Sequence, residues 1–288
     1  MTRARATLIG FTAVLLWALL ALFTIGSAPV PAFQLNAICF AIGGGVGLIW
    51  TLATGQVAAL RRVPVQVYLF GTAGLFGYHF LYFTAFRIAP SAETGLIAYL
   101  WPLFIVLLSG LLPGERLSVA HVLGALIAFG GAALIVLGRE GGEANALGLA
   151  LAFGCAVTWA VYSVASRRLG QVPTVAVTVY CLATALLSLL SHALLEETRW
   201  PETGLGWAAT LALGVGPVGL AFFTWDIGMK KGDIQLLGVA SYAAPLLSTL
   251  ALVLAGIAPP SLLLLVAALL IAGGAALAAW ASARKNQA

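Results

Sequence analysis

AFGGAALIVLG runs from residue 128 to 138, and IAGGAALAAWA runs from 271 to 281. Both are apolar, both carry a Gly-Gly pair at the same place, and they lie 143 positions apart (271 less 128). At that offset Gly95 falls on Gly238, Tyr99 on Tyr242, Pro102 on Pro245 and Ser118 on Ser261. One position short of it, Trp17 falls on Trp159. Chance supplies one such match between apolar stretches. Several at nearly one offset mark a duplication.

The setting of the repeat is a membrane. Of 288 residues, 62% are hydrophobic and 8% are charged, and the mean hydropathy is +1.06. A soluble domain carries about 25% charged residues. A hydrocarbon core about 30 Å thick takes roughly 20 apolar residues as a helix. The stretches 7–26, 33–54, 66–87, 91–112, 118–138, 147–168, 173–195, 205–229, 234–256 and 260–281 meet that requirement. The first is longer than a signal-peptide core and no clear A-x-A site follows it, so it reads as a span. The repeat therefore divides the chain into 1–140 and 141–288, with five spans each. Five is odd, so the halves are expected to cross in opposite senses. The predicted fold is an all-α integral membrane protein of ten transmembrane helices, an inverted five-plus-five repeat around a central cavity. Such repeats are typical of secondary transporters, with the substrate near the midplane at the repeat interface.

Charge sets the expected orientation. Arg3, Arg5, Arg61, Arg62, Arg116, Arg167, Arg168, Lys230, Lys231, Arg284 and Lys285 lie in even-numbered loops and at the termini. Only Arg87, Arg139 and Arg199 lie in odd-numbered loops, and most acids share that side: Glu140, Glu143, Glu196, Glu197 and Glu202. The positive-inside rule then places both termini in the cytoplasm. The basic excess is a topology signal and does not point to nucleic acid. Cys39, Cys155 and Cys181 sit inside apolar runs, which gives neither a disulfide framework nor a metal spacing. The chain contains no P-loop and no H-E-x-x-H motif. No lysine lies inside a span and no K⁺-filter signature is present. A non-enzyme without cofactor or metal is expected.

YHFLYFTAFRIAP at 78–90 places Tyr78, His79 and Tyr82 inside a span. Trp and Tyr normally sit at the membrane interfaces, as Trp50, Trp200, Trp207 and Trp280 do here. Trp17, Trp101, Trp159 and Tyr162 instead lie mid-span. Each needs a partner for its N–H or O–H. Hydrogen bonding between helices would satisfy any one of them; a set spread over four spans suggests a wet aromatic cavity. Tyr78 and Tyr82 share a helix face, and His79 and Tyr82 flank the same groove. His79 has three open roles: an interhelical hydrogen bond, a ligand contact or a proton carrier. Pro102, Pro217 and Pro245 remove helix hydrogen bonds mid-span, and are expected to hinge or break helices around the site.

The charged residues read as structural. Glu93 suits the start of its helix, with Arg87 near. Asp226 stands four positions before Lys230, an ion-pair spacing, although a place at the inner gate is the alternative. Asp233 is a helix N-cap, and Glu115–Arg116 lie in a tight turn. Gly43 and Gly47 form a G-x-x-x-G, and with the Gly-Gly pairs mark close helix crossings.

These features, with APSAETGLIAYLWPLFIVLLSGLLPGERLS at 89–118, resemble the drug/metabolite transporter superfamily, EamA type, over nearly the whole chain. YHFLYFTAFRIAP followed by YLWPLFIVL resembles its aromatic amino acid exporters, the YddG type. That resemblance implies a cavity surrounded by spans 1, 3, 4, 6, 8 and 9, in a multi-pass protein of the bacterial inner membrane. It also implies export of amino acids, including aromatic ones, Met and Thr. Matching positions are Tyr78, His79, Tyr82, Tyr99 and Trp101; Trp17, Trp159, Tyr162 and Tyr242 are added from the residue pattern. The second half has SYAAPLL where the first has AYLWPLF, so an asymmetric site is expected. The resulting expectation is a monomeric exporter of neutral amino acids working by alternating access. Aromatic rings would stack on the side chain, and Tyr hydroxyls and His79 would take the carboxylate. Alternatives are a carrier of cationic drugs or other metabolites, and a non-transporting membrane sensor.

Overall fold

The computed structural model describes residues 1–137, 145–257 and 261–285. Gly138, Arg139, Glu140, Glu143, the 140/141 boundary and the predicted start of the last span at 260 lie outside the described residues. Helices stand along all ten predicted stretches: α1 Arg3–Gly26, α2 Ala32–Ala53, α3 Val65–Ile88, α4 91–109, α5 Val119–Leu137, α6 Ala146–Leu169, α7 Thr174–Leu195, α8 Gly204–Lys231, α9 Ile234–Leu254 and α10 Leu262–Lys285. Among the described residues there is no strand. Among the described residues, seven helices are long and apolar enough to cross a membrane, namely all but α3, α4 and α5. α4 and α5 contain shorter apolar helices, Glu93–Ser109 and Val119–Leu134. α3 has 24 residues but includes Gln66, Tyr68, Tyr78, His79, Tyr82 and Arg87.

Local chemistry explains where helices start. Pro31, Pro64 and Pro90 occupy the cap positions of α2, α3 and α4, where a missing N–H costs no helix bond. The side chains of Asn145, Thr203 and Asp233 accept hydrogen bonds from backbone N–H groups in the first turns of α6, α8 and α9.

Close approach explains how the helices pair. α5 lies against α10, α2 against α7, α3 against α6, and α1 against the second half of α8. The repeated Gly-Gly motif is the α5–α10 contact. A Cβ on Gly131 would come 2.9 Å from the Ala267 carbonyl, and one on Gly274 would strike the Gly124 carbonyl. The other members of each pair, Gly130 and Gly273, face open space. α1 crosses α8 where a Cβ on Gly10 would lie 2.7 Å from the Gly228 Cα. The Gly43-x-x-x-Gly47 face of α2 meets Gly219, Phe223 and Thr178.

Four helices are interrupted. α4 breaks between Ala98 and Trp101, beside Pro102, and α9 between Ala240 and Ala243, ahead of Pro245. α8 passes through a π-helical segment, Gly216–Leu220, containing Pro217. Proline withholds one N–H from the helix ladder, and π-turns absorb such a defect. α1 also breaks, at Leu19, where the sequence carries no proline.

Candidate functional site

The interruptions surround a cavity of about 240 Å³. Trp17 of α1, Tyr78, His79 and Tyr82 of α3, Tyr99 and Trp101 of α4, and Trp159 of α6 line it, with Pro217 and Pro245 at the breaks of α8 and α9. Among the described residues, no Lys, Arg, Asp or Glu lines it. Tyr78 and Tyr82 stack with ring centroids 5.8 Å apart, as their four-residue spacing requires. His79 is 9% exposed, and its Nδ1 lies 2.7 Å from the Leu75 carbonyl oxygen.

Trp17 sits at the centre of an indole cluster. Its centroid is 6.1 Å from Trp101, 5.8 Å from Trp159 and 5.0 Å from Trp225. The first two contacts are edge-to-face, which matches the ring quadrupoles, and the third is tilted. Trp225 is buried behind the other three and donates from Nε1 to Ser163 Oγ at 3.0 Å. Its position near the end of α8 gives no sequence signal of that role. Phe83, Phe86, Phe222, Ser248 and Thr249 also line the cavity. The phenylalanines are indistinguishable in sequence from those, such as Phe33 and Phe40, that are buried elsewhere in the bundle.

Tyr162, Tyr242 and Pro102 do not line it. Tyr162 packs between Trp159 and Phe70, over Gly74. Tyr242 is fully buried, and its hydroxyl accepts a hydrogen bond from the Leu103 N–H at 3.1 Å. The break in α4 leaves that amide without a helix partner, so Tyr242 supplies one. Pro102 is buried at the start of the second part of α4. Helix rotation turns these three toward neighbouring helices.

The cavity is displaced toward one end of the bundle. Its lining uses the far part of α1, the second half of α3, the first half of α4 and the second half of α9. At the opposite end, Arg3 pairs with Glu115 at 3.1 Å and with Asp233 at 3.5 Å. Arg167 binds Glu115 and donates to the carbonyls of Met229 and Gly232 at 2.9 and 2.8 Å. Asp226 and Lys230 pair at 2.8 Å. Glu115, read as a turn residue, thus ties α1 to α6, and with Asp233 and the end of α8 draws five segments together. At the cavity end, Arg87 pairs with Glu196 at 3.0 Å, not with Glu93. The same carboxylate accepts from the Phe33 and Gln34 N–H groups and faces His192 Nδ1. A carboxylate suits the free N–H groups of a helix start, and this one anchors α2, α3 and α7. An uncharged, ring-walled chamber held between two ionic clusters can hold a neutral or zwitterionic molecule with an apolar side chain.

Residues 4–137 and 146–280 each match the model of the EamA-like transporter family. The chain is 57% identical over 265 residues to the aromatic amino acid exporter YddG of Ancylobacter novellus, covering 91% of this chain and 92% of that protein. It is 26% identical over 268 residues to the aromatic amino acid exporter YddG of Salmonella typhimurium, covering 86% and 88%. A probable terminal-alkyne amino-acid exporter of Streptantibioticus cattleyicolor is 25% identical over 262 residues, covering 85% and 87%. A solved crystal structure with 56% identity superposes with a TM-score of 0.91, covering 96% of this chain and 98% of its own.

Proposed function

This chain belongs to the EamA-like transporter family, and we propose that it exports aromatic amino acids, with other neutral ones such as Met and Thr, across the bacterial cytoplasmic membrane by alternating access. The observation that carries the reading is the cavity: a wall from six helices, five of which supply aromatic rings, with no charged side chain among the described residues and a volume of about 240 Å³. The name of the 57% identical relative points the same way.

The finer architecture is an inverted repeat of residues 1–140 and 141–288, with ten spans. The helix pairing supports it. Adding five to each label, cyclically, maps α1–α8 onto α6–α3 and leaves α2–α7 and α5–α10 unchanged. The two separate family matches divide the chain at the same place. Charge asymmetry supports cytoplasmic termini. The Arg3–Glu115–Arg167 cluster then seals the cytoplasmic side, and the cavity lies toward the outside. Transport by a functional monomer without a coupling ion is in keeping with the uncharged wall.

The test is uptake of radiolabelled Phe, Met and Thr by liposomes holding the purified protein, with no ion gradient imposed. Saturable uptake above empty liposomes supports the reading. No uptake, with or without an added proton gradient, rejects it. A cationic drug exporter is the second reading, favoured by the ring-lined wall, which holds cations over π faces; growth protection against toxic cations distinguishes it.

A further inference from the structure

His79 carries a polarity that its position in the sequence conceals. Its Nδ1 is 2.7 Å from the Leu75 carbonyl oxygen, one turn earlier in α3. A carbonyl only accepts, so Nδ1 carries a proton. The ring packs edge-on to Phe40 at 4.9 Å and Tyr78 at 5.1 Å, and no carboxylate lines the cavity to balance an imidazolium. A neutral imidazole with its proton on Nδ1 presents a lone pair at Nε2. Nε2 has no hydrogen-bond partner among the described residues, and the ring faces the cavity. The acceptor is therefore available to a ligand.

Among the described residues the rest of the wall offers a carboxylate only neutral donors, such as the Ser248 hydroxyl. No Arg or Lys is present to hold a carboxylate. The indole N–H of Trp17 is already bonded to the Pro217 carbonyl at 3.1 Å. Indole and phenol faces attract a cation. We infer that His79 is a specificity-determining residue that accepts a hydrogen bond from the substrate's ammonium group, so that the amine is the required end of the substrate and the carboxylate the dispensable one. This reverses the carboxylate role expected for His79 from the sequence. It widens the substrate class to protonated primary amines with an aromatic side chain, and it rests on the cavity being the substrate site proposed above.

The test uses three probes of equal ring size on the purified full-length protein: phenylalanine, phenethylamine (no carboxylate) and 3-phenylpropanoate (no ammonium). Binding is read from the fluorescence of the cavity tryptophans, and competition from liposome uptake of labelled phenylalanine. Phenethylamine is expected to bind within a few-fold of phenylalanine, and 3-phenylpropanoate at least about tenfold more weakly, the worth of one charge-assisted hydrogen bond. His79→Gln, which keeps an acceptor at the same reach, should retain the preference; His79→Phe should abolish it. Equal or tighter binding of 3-phenylpropanoate, or a preference unchanged in His79→Phe, overturns the inference while leaving the exporter reading intact. Binding of phenethylamine without binding or uptake of phenylalanine supports the inference and overturns the amino acid reading. No binding of any probe overturns both.

Discussion

Trp17 and Pro217 lie 200 positions apart, and the indole Nε1 of the first donates to the carbonyl of the second at 3.1 Å. The bond joins the middle of α1 to the π-helical segment of α8, where proline disturbs the backbone ladder. It also orients the indole at the centre of the cavity wall. Trp17→Phe keeps a ring but removes the donor. The expected loss is about 1 kcal/mol of stability, read as a lower melting temperature in detergent, with reduced phenylalanine uptake. Wild-type melting and uptake would show that the bond has no such role.

Trp101 and His79 both line the cavity. Trp101→Ala and His79→Ala should each lower phenylalanine uptake by about tenfold or more, the scale of one lost aromatic or charge-assisted contact, with membrane expression preserved. Normal flux in both variants would remove this cavity from the transport route.

Tyr242 has a different task. Its hydroxyl satisfies the Leu103 amide inside a buried layer. Tyr242→Phe leaves that donor unpaired and should cost about 1–3 kcal/mol. Thermal unfolding should register the loss, while substrate binding by the folded fraction stays at the wild-type value. A variant as stable as wild type but weaker in binding would return Tyr242 to the substrate site.

Glu115 has a buried side chain that holds both Arg3 and Arg167. Glu115→Gln removes the charge between two guanidinium groups. Hydrogen exchange over residues 1–10 and 228–236 should accelerate about tenfold or more as that end opens locally. Unchanged exchange there would mean that apolar packing alone keeps it shut.

The Gly-Gly motif offers an internal control. Gly273 faces open space, whereas a side chain on Gly274 meets the Gly124 carbonyl. Gly273→Ala should be neutral or stabilising by up to about 1 kcal/mol, from helix propensity. Gly274→Ala should destabilise by about 1–3 kcal/mol through overpacking. Equal melting temperatures for the two would contradict the α5–α10 packing.

The helices were legible because their causes are local. Apolar runs, the prolines at the caps of α2, α3 and α4, and the acceptors Asn145, Thr203 and Asp233 act within a few residues of themselves. The duplication was legible for a related reason, since it is a property of order along the chain. The stacking of Tyr78 on Tyr82 needed only the pitch of one helix. Rotation of one helix against another is a different matter. It turns Trp225 toward Trp17, sends Tyr242 to the Leu103 amide and tucks Tyr162 over Gly74. It also brings Arg3 to Glu115 and Arg87 to Glu196, partners more than a hundred residues apart. These choices rest on summed packing across several interfaces, where one small residue such as Gly10 or Gly228 lets two backbones approach and fixes which faces meet. No window of sequence contains that sum. The polarity of His79 lies between the two cases: its neighbour Leu75 is one helical turn away, but the uncharged chamber that leaves its Nε2 as an acceptor exists only when six helices close around it.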